Sequence, residues 1–357
     1  MADTVPLTNH DISEALCDQV RQADRDKTPL RIVGGNTKAF YGRAVDGSEL
    51  ATREHRGISH YDPVELIVSV RAGTPLADLE AALDAEGQRL PCEPPHFGAS
   101  ATVGGMIACG LSGPRRPWAG SVRDLVLGTR VITHEGKQLR FGGEVMKNVA
   151  GYDLSRLMVG AQGTLGLLTE VSLKVLPKPA TSHSLRLELP LDAALTKLAE
   201  WGRQPMPLSA ASYHDGALYL RLEGGQSSVA ATRERLGGDS LDAGYWEELR
   251  EQRLAFFCAD QRPLWRLSLP NKVPPLSLDG EVLYDWAGAQ RWLKSDADAG
   301  TIREACARAG GHATCYTPGI AEPFTPLAPV VAKYHRQLKA ELDPNGIFNP
   351  GRLYAEV

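Results

Sequence analysis

Three glycine-bearing segments carry the residues of this 357-residue chain best suited to holding a ligand. Residues 30–42, LRIVGGNTKAFYG, run a short apolar strand into two glycines, an Asn, a Thr and a Lys. Glycine removes the Cβ that keeps a ligand away from the main chain and permits φ > 0. Successive free N–H groups in such a turn form a concavity suited to phosphate. Taken alone, GGNT reads more readily as a tight turn between two strands than as a ligand loop. Two further backbone-exposing segments follow, at 98–113 and 160–168, each beside a predicted strand. Three of them in one domain suggest a long ligand lying against main chain at several points, and a dinucleotide has that length. G-x-G-x-x-G and G-x-x-x-x-G-K-[ST] are both missing, which favours flavin over nicotinamide or a nucleoside triphosphate.

The elements that must position these segments are legible from periodicity and turn chemistry. Residues 8–23 read as a helix, with Thr8 and Asp11 as a capping box and Ile12, Leu16 and Val20 on one face. Leu30 to Val33 is a strand, Val64 to Val70 another, and Thr74-Pro75 opens a helix with Leu76, Leu79 and Leu83 on its apolar side. Residues 91–121, studded with Gly and Pro, read as a long loop, and a loop of that length is usually functional. Asp124–Ile132 and Gln138–Phe141 form a hairpin. After Pro177 and Pro179 the texture changes to two loose rounds of β-α-β-β-α. That pattern predicts an antiparallel sheet with helices on one side, an α+β (ferredoxin-like) cap. A last helix, 326–341, leads into the turn-rich LDPNGIFNPGRLY.

Composition limits the function classes. With 39 Lys+Arg against 43 Asp+Glu, the net charge of −4 offers no basic footprint for nucleic acid. The N-terminus lacks the basic start and apolar core of a signal peptide, and no apolar run reaches the ~18–20 residues that span a bilayer. A cytoplasmic protein is expected, with any membrane contact left to partners. The six cysteines, Cys17, Cys92, Cys109, Cys258, Cys306 and Cys315, contain no C-x-x-C, which argues against an iron–sulfur cluster or structural zinc carried here.

Across nearly its whole length the sequence resembles the FAD-binding flavoproteins of the vanillyl-alcohol oxidase (PCMH) type. RIVGGNTKAFYG, SATVGGMIACGLSGPRR, KNVAGYDLSRLMVGAQGTLGLLTEV and DPNGIFNPGRLY carry the likeness. GLSGPRR, SVRDLVLG and GGHAT resemble the E-subunit branch of bacterial glycolate oxidases. The resemblance implies an FAD domain over residues 1–180, completed by 340–357, and a cap over 181–339. It implies a pyrophosphate cradle from Val33, Gly34, Gly35, Asn36 and Thr37, continued by Ser100, Thr102, Gly104 and Gly105. Cys109 and Gly110 would lie near the flavin ring, and Gly163, Gly166 and Leu168 beside the adenosine. Relatives that tether FAD commonly use a His after the loop glycines; Lys38-Ala39-Phe40 stands there, so non-covalent FAD is expected.

For the chemistry, the resemblance implies oxidation of glycolate to glyoxylate, working with a second flavoprotein subunit and an iron–sulfur subunit. Flavin oxidation of a 2-hydroxy acid needs a base for the hydroxyl proton and a cation for the carboxylate. Self-sufficient relatives carry a metal-binding G-D-G-N-x-H element in the cap; its nearest counterpart here is Gly310-Gly311-His312-Ala313-Thr314. His312 is therefore the candidate base, against a purely structural histidine. Arg266 and Arg115 (with Arg116) are the candidate carboxylate clamps, against plain salt bridges. No metal is expected. A self-sufficient 2-hydroxy-acid dehydrogenase and a flavin-bound structural subunit without turnover are the alternatives.

Overall fold

Alternating apolar residues build the sheet that anchors the first half of the chain. The computed structural model describes residues 9–143 and 152–357, which divide into two compact units. The first comprises residues 1–111, 121–177 and 326–357, the second 112–120 and 178–325. Thr8 and the first part of KNVAGYDL lie outside the described residues.

The first unit holds a five-stranded sheet in the order Ile58–Asp62, Ile67–Arg71, Leu167–Lys174, Val126–Ile132, Gln138–Gly142, antiparallel throughout. Val68, Val70, Val171 and Leu173 share a buried cluster with Leu79 and Leu83 of the helix Leu76–Ala85 and Ile107 of the helix Val103–Cys109. Fully burying one such side chain stabilises the fold by about 1.5–3 kcal/mol. A separate parallel pair, Leu30–Val33 with Ser48–Ala51, is sealed by Leu16 and Val20 of the helix Ser13–Asp26 and by Ile347 and Phe348. That first helix begins later than its capping pattern predicts. Asp11 instead accepts the N–H of Ser13 at 2.9 Å and pairs with Arg71 at 2.8 Å.

The tract 91–121 is not a plain loop. Thr102 caps the helix Val103–Cys109 through its side chain, and Arg116–Ala119 makes one further helical turn. Two glycines at the helix start obscured the element. The helix Pro329–Leu342, expected in the cap, packs in the first unit, with Leu338 and Leu342 against Val131, Met158 and Leu165.

The second unit is an eight-stranded antiparallel sheet. Helices Leu191–Trp201 and Gln226–Leu236 pack on one half, and Ala299–Arg308 on the other. The strand Gln290–Lys294 went unread because QRWLK looks exposed, yet all five residues are buried. Arg291 reconciles the two by donating Nε and Nη1 to the carbonyls of Gly288 and Pro274 at 3.2 and 2.9 Å.

Candidate FAD site

A cavity of about 340 Å³ in the first unit is lined by the strand Leu30–Val33 and the turn after it, the helix Val103–Cys109, residues 158–168 and the C-terminal Asn349 and Arg352, with Ala44, Val45, Thr52 and Ala72 completing the wall. Val33, Gly34, Gly35, Asn36 and Thr37 all line it, as do Thr102, Gly104, Gly105, Cys109, Gly163, Gly166 and Leu168. Ser100 and Gly110 do not. Ser100 supports the turn from behind, its hydroxyl donating to the Gly35 carbonyl at 2.7 Å. Gly110 ends the helix, with φ at +65° and its N–H on Met106.

The glycines serve a purpose that sequence reasoning misplaced. A Cβ on Gly35 would stand 1.6 Å from the Ser100 carbonyl oxygen, and one on Gly104 would stand 2.8 Å from the Ala72 Cβ. At Gly34 it would meet Thr102 Oγ1 at 2.6 Å, and at Gly163 the Asn349 Nδ2 at 2.8 Å. These positions are glycine so that the loops can pack on one another. Gly105 differs, since its nearest obstacle is Thr102 Oγ1 at 3.3 Å.

Donors for an anion are also unevenly distributed. The first-turn N–H groups of Val103, Gly104 and Gly105 go to Thr74 O, Ala72 O and Thr102 Oγ1. The expected cradle therefore cannot draw on them without breaking protein hydrogen bonds. By contrast, the N–H groups of Gly34, Gly35, Asn36 and Thr37 meet no protein acceptor among the described residues. Asn36 is left-handed at φ +59°, the backbone geometry that brings neighbouring N–H groups into a nest. The Thr37 hydroxyl donates to His96 O at 2.7 Å, bracing the turn.

Three cations that the sequence reading did not assign to the site border the same space: Lys38, Arg352 and Arg31, the last paired with Glu49 at 2.6 Å. Lys38 is buried, with Nζ 3.1 Å from His96 O. Arg352 donates to carbonyl oxygens of Ala39, Tyr41 and Arg43 and to Gln162 Oε1, and has no carboxylate partner among the described residues. Burial lowers its pKa, but a guanidinium stays charged in proteins. The only sequence signal for Arg352 was its place in the turn-rich DPNGIFNPGRLY. Burial raises the Cys109 thiol pKa, outweighing the pull of Lys38 and Arg352, so a neutral thiol faces the cavity.

The three candidate reaction residues belong to the second unit. His312 starts the edge strand His312–Cys315, opposite Ser268. Arg266, on the neighbouring strand, pairs with Thr314, which puts Arg266 and His312 on the same face of the sheet. Desolvation, then the Arg266 charge, lowers the His312 pKa, so its ring is neutral near pH 7. The Arg266 guanidinium lies 5.5 Å from the Tyr316 ring. Arg115 is buried and forked onto Glu223, with Nη2–Oε1 at 2.9 Å, so its charge is already matched and it is a poor carboxylate clamp. Trp265, Trp286 and Trp292 are buried core residues.

Comparison with known proteins decides the family. The FAD binding domain model matches residues 11–142. Glycolate oxidase subunit GlcE of Escherichia coli (strain K12) is 59% identical over 351 residues, covering 98% of this chain and all of that one. The chain belongs to the GlcE family of FAD-binding oxidoreductases. Glycolate oxidase subunit GlcD of Bacillus subtilis (strain 168) is 37% identical over 139 residues, 39% of this chain and 29% of that protein. D-lactate dehydrogenase of Anaerostipes hadrus is 35% identical over 176 residues, 48% of this chain and 36% of that protein. Among solved structures, an alkyldihydroxyacetonephosphate synthase superposes with a TM-score of 0.67 at 16% identity, covering 96% of this chain and 76% of its own, a likeness of fold. FAD is the cofactor of the GlcE family, and the lining residues fit it: unpaired turn donors and the Arg352 charge suit a diphosphate. No helix among the described residues is long and apolar enough to cross a membrane.

Proposed function

We propose that the chain is the FAD-carrying subunit of a complex that oxidises glycolate to glyoxylate. The near-full-length likeness to subunit GlcE carries this reading. FAD, when bound, accepts the hydride from the α-carbon of the hydroxy acid. Gly34 to Thr37 would hold the diphosphate through backbone N–H groups, with Arg352 and Lys38 supplying positive potential. Cys109 would pack as a neutral thiol, a poor nucleophile, which supports non-covalent binding.

His312, neutral and free to accept a proton at a ring nitrogen, is the proposed base, and Arg266 the proposed carboxylate partner. Arg115 is withdrawn from that role. The sequence has no G-D-G-N-x-H element, which supports dependence on a second flavoprotein subunit. An iron–sulfur subunit is proposed as the electron exit, since no C-x-x-C occurs here. Dye reduction with glycolate tests the proposal: co-expression with partner subunits should yield activity that this chain alone lacks. Robust turnover by the purified single chain would favour a self-sufficient dehydrogenase.

A further inference from the structure

Ser112–Gly120 counts with the second unit, although the chain on either side of it counts with the first. Its anchorage is specific. Arg115 and Glu223 form a forked pair with both side chains buried, and Arg221 Nε stands 3.7 Å from the same carboxylate. Trp286 Nε1 donates to the Gly113 carbonyl at 3.0 Å, and the Arg116 guanidinium lies 4.5 Å from the Trp286 ring. Just upstream, Gly104, Gly105 and Cys109 line the cavity from the helix Val103–Cys109. Only a short stretch of main chain separates that helix from Arg115.

We propose that Arg115 is a positioning residue for the cofactor: fixing residues 112–120 on the Glu223 strand holds the end of the cavity-lining helix. FAD affinity then depends on a pair that never touches FAD. By linkage, FAD must in turn stabilise the Arg115–Glu223 contact by the same factor. The inference rests on the cavity being the FAD site.

The charge balance selects the variant. Glu223→Gln would leave two buried guanidinium groups without their shared carboxylate, a change that endangers folding. Arg115→Met keeps an unbranched apolar stem, shorter by the guanidinium, and leaves Glu223 with Arg221. The apoprotein should then melt within a few degrees of the parent, while the FAD Kd rises about tenfold, within the usual range of coupling between sites. Hydrogen exchange gives a second readout: FAD should slow amide exchange across residues 209–223 in the parent and not in Arg115→Met.

An unchanged Kd in folded Arg115→Met overturns the proposal, as does an equal slowing of exchange in both proteins. If Arg115→Met does not fold, Trp286→Phe removes the N–H donated to Gly113 and shrinks the ring under Arg116, while leaving the Arg115–Glu223 pair in place. It should weaken FAD about threefold, a partial loss of the same coupling, and an unchanged Kd there overturns the proposal too. Gly105→Ala, inside the cavity, separates the two levels. If it fails to weaken FAD, the cavity assignment falls; if it weakens FAD while Arg115→Met does not, only the anchor falls.

Discussion

The Asn349 side-chain oxygen accepts the N–H of Ile32 at 2.8 Å, and its amide donates to the Gln162 carbonyl at 2.7 Å. One buried carboxamide thus joins the C-terminal segment, the first strand and the 160–168 loop, all of which line the cavity. Asn349→Ala would orphan the buried Gln162 carbonyl and the part-buried Ile32 N–H, each such loss costing about 1–3 kcal/mol when fully buried. Urea unfolding followed by intrinsic fluorescence should show a loss of at least about 2 kcal/mol, with weaker FAD retention. Unaltered stability would mean that this junction does not organise the site.

Gly35 and Gly105 should part company under the same substitution. Gly35→Ala places a methyl 1.6 Å from the Ser100 carbonyl, so even this smallest change should cost both thermal stability and FAD. Gly105→Ala meets only Thr102 Oγ1 at 3.3 Å, and alanine favours a helix over glycine by up to about 1 kcal/mol. The apoprotein should therefore melt no lower than the parent, while FAD titration shows reduced affinity. Equal behaviour of the two variants would refute this division of labour.

Acid should destabilise the first unit through His55. The ring is fully buried and accepts the Ile12 N–H at Nδ1, 3.2 Å away. Burial, then the charge of Arg71, lowers its pKa below the ordinary 6.5. Since the unfolded chain takes up this proton more readily, the contribution to stability is complete above about pH 6.5 and fades as pH falls toward the depressed value. One proton limits the slope to about 1.4 kcal/mol per pH unit. Stability in urea should drop between pH 7.5 and 5.5, and less steeply in His55→Gln. His183, His214 and His312 also have lowered pKa values, so the difference between the two proteins isolates His55.

Much of this was legible in sequence where local chemistry sufficed. The helix Leu191–Trp201 and the hairpin at 126–142 follow from periodicity and turn residues alone. The turn at Gly34–Thr37 was legible from its glycines, though the reason for those glycines was not. That Gly35 faces Ser100, 65 residues away in the chain, is a tertiary fact with no local trace. Arg352 was missed for the same reason, because its partners lie at residues 38–43 and 162. Arg115 read as a substrate cation because Glu223 is distant in sequence. The strand Gln290–Lys294 was hidden by polar side chains that find their partners only after folding.

The most direct test of the proposed role is the reductive half-reaction. Glycolate is added anaerobically to the FAD-loaded chain alone and to the chain co-purified with its partner subunits, and the flavin absorbance is followed. The flavin of the assembled complex should bleach, and that of the chain alone should stay oxidised. Prompt bleaching of the chain alone would contradict dependence on partners, and a complex whose flavin never bleaches would contradict glycolate oxidation itself.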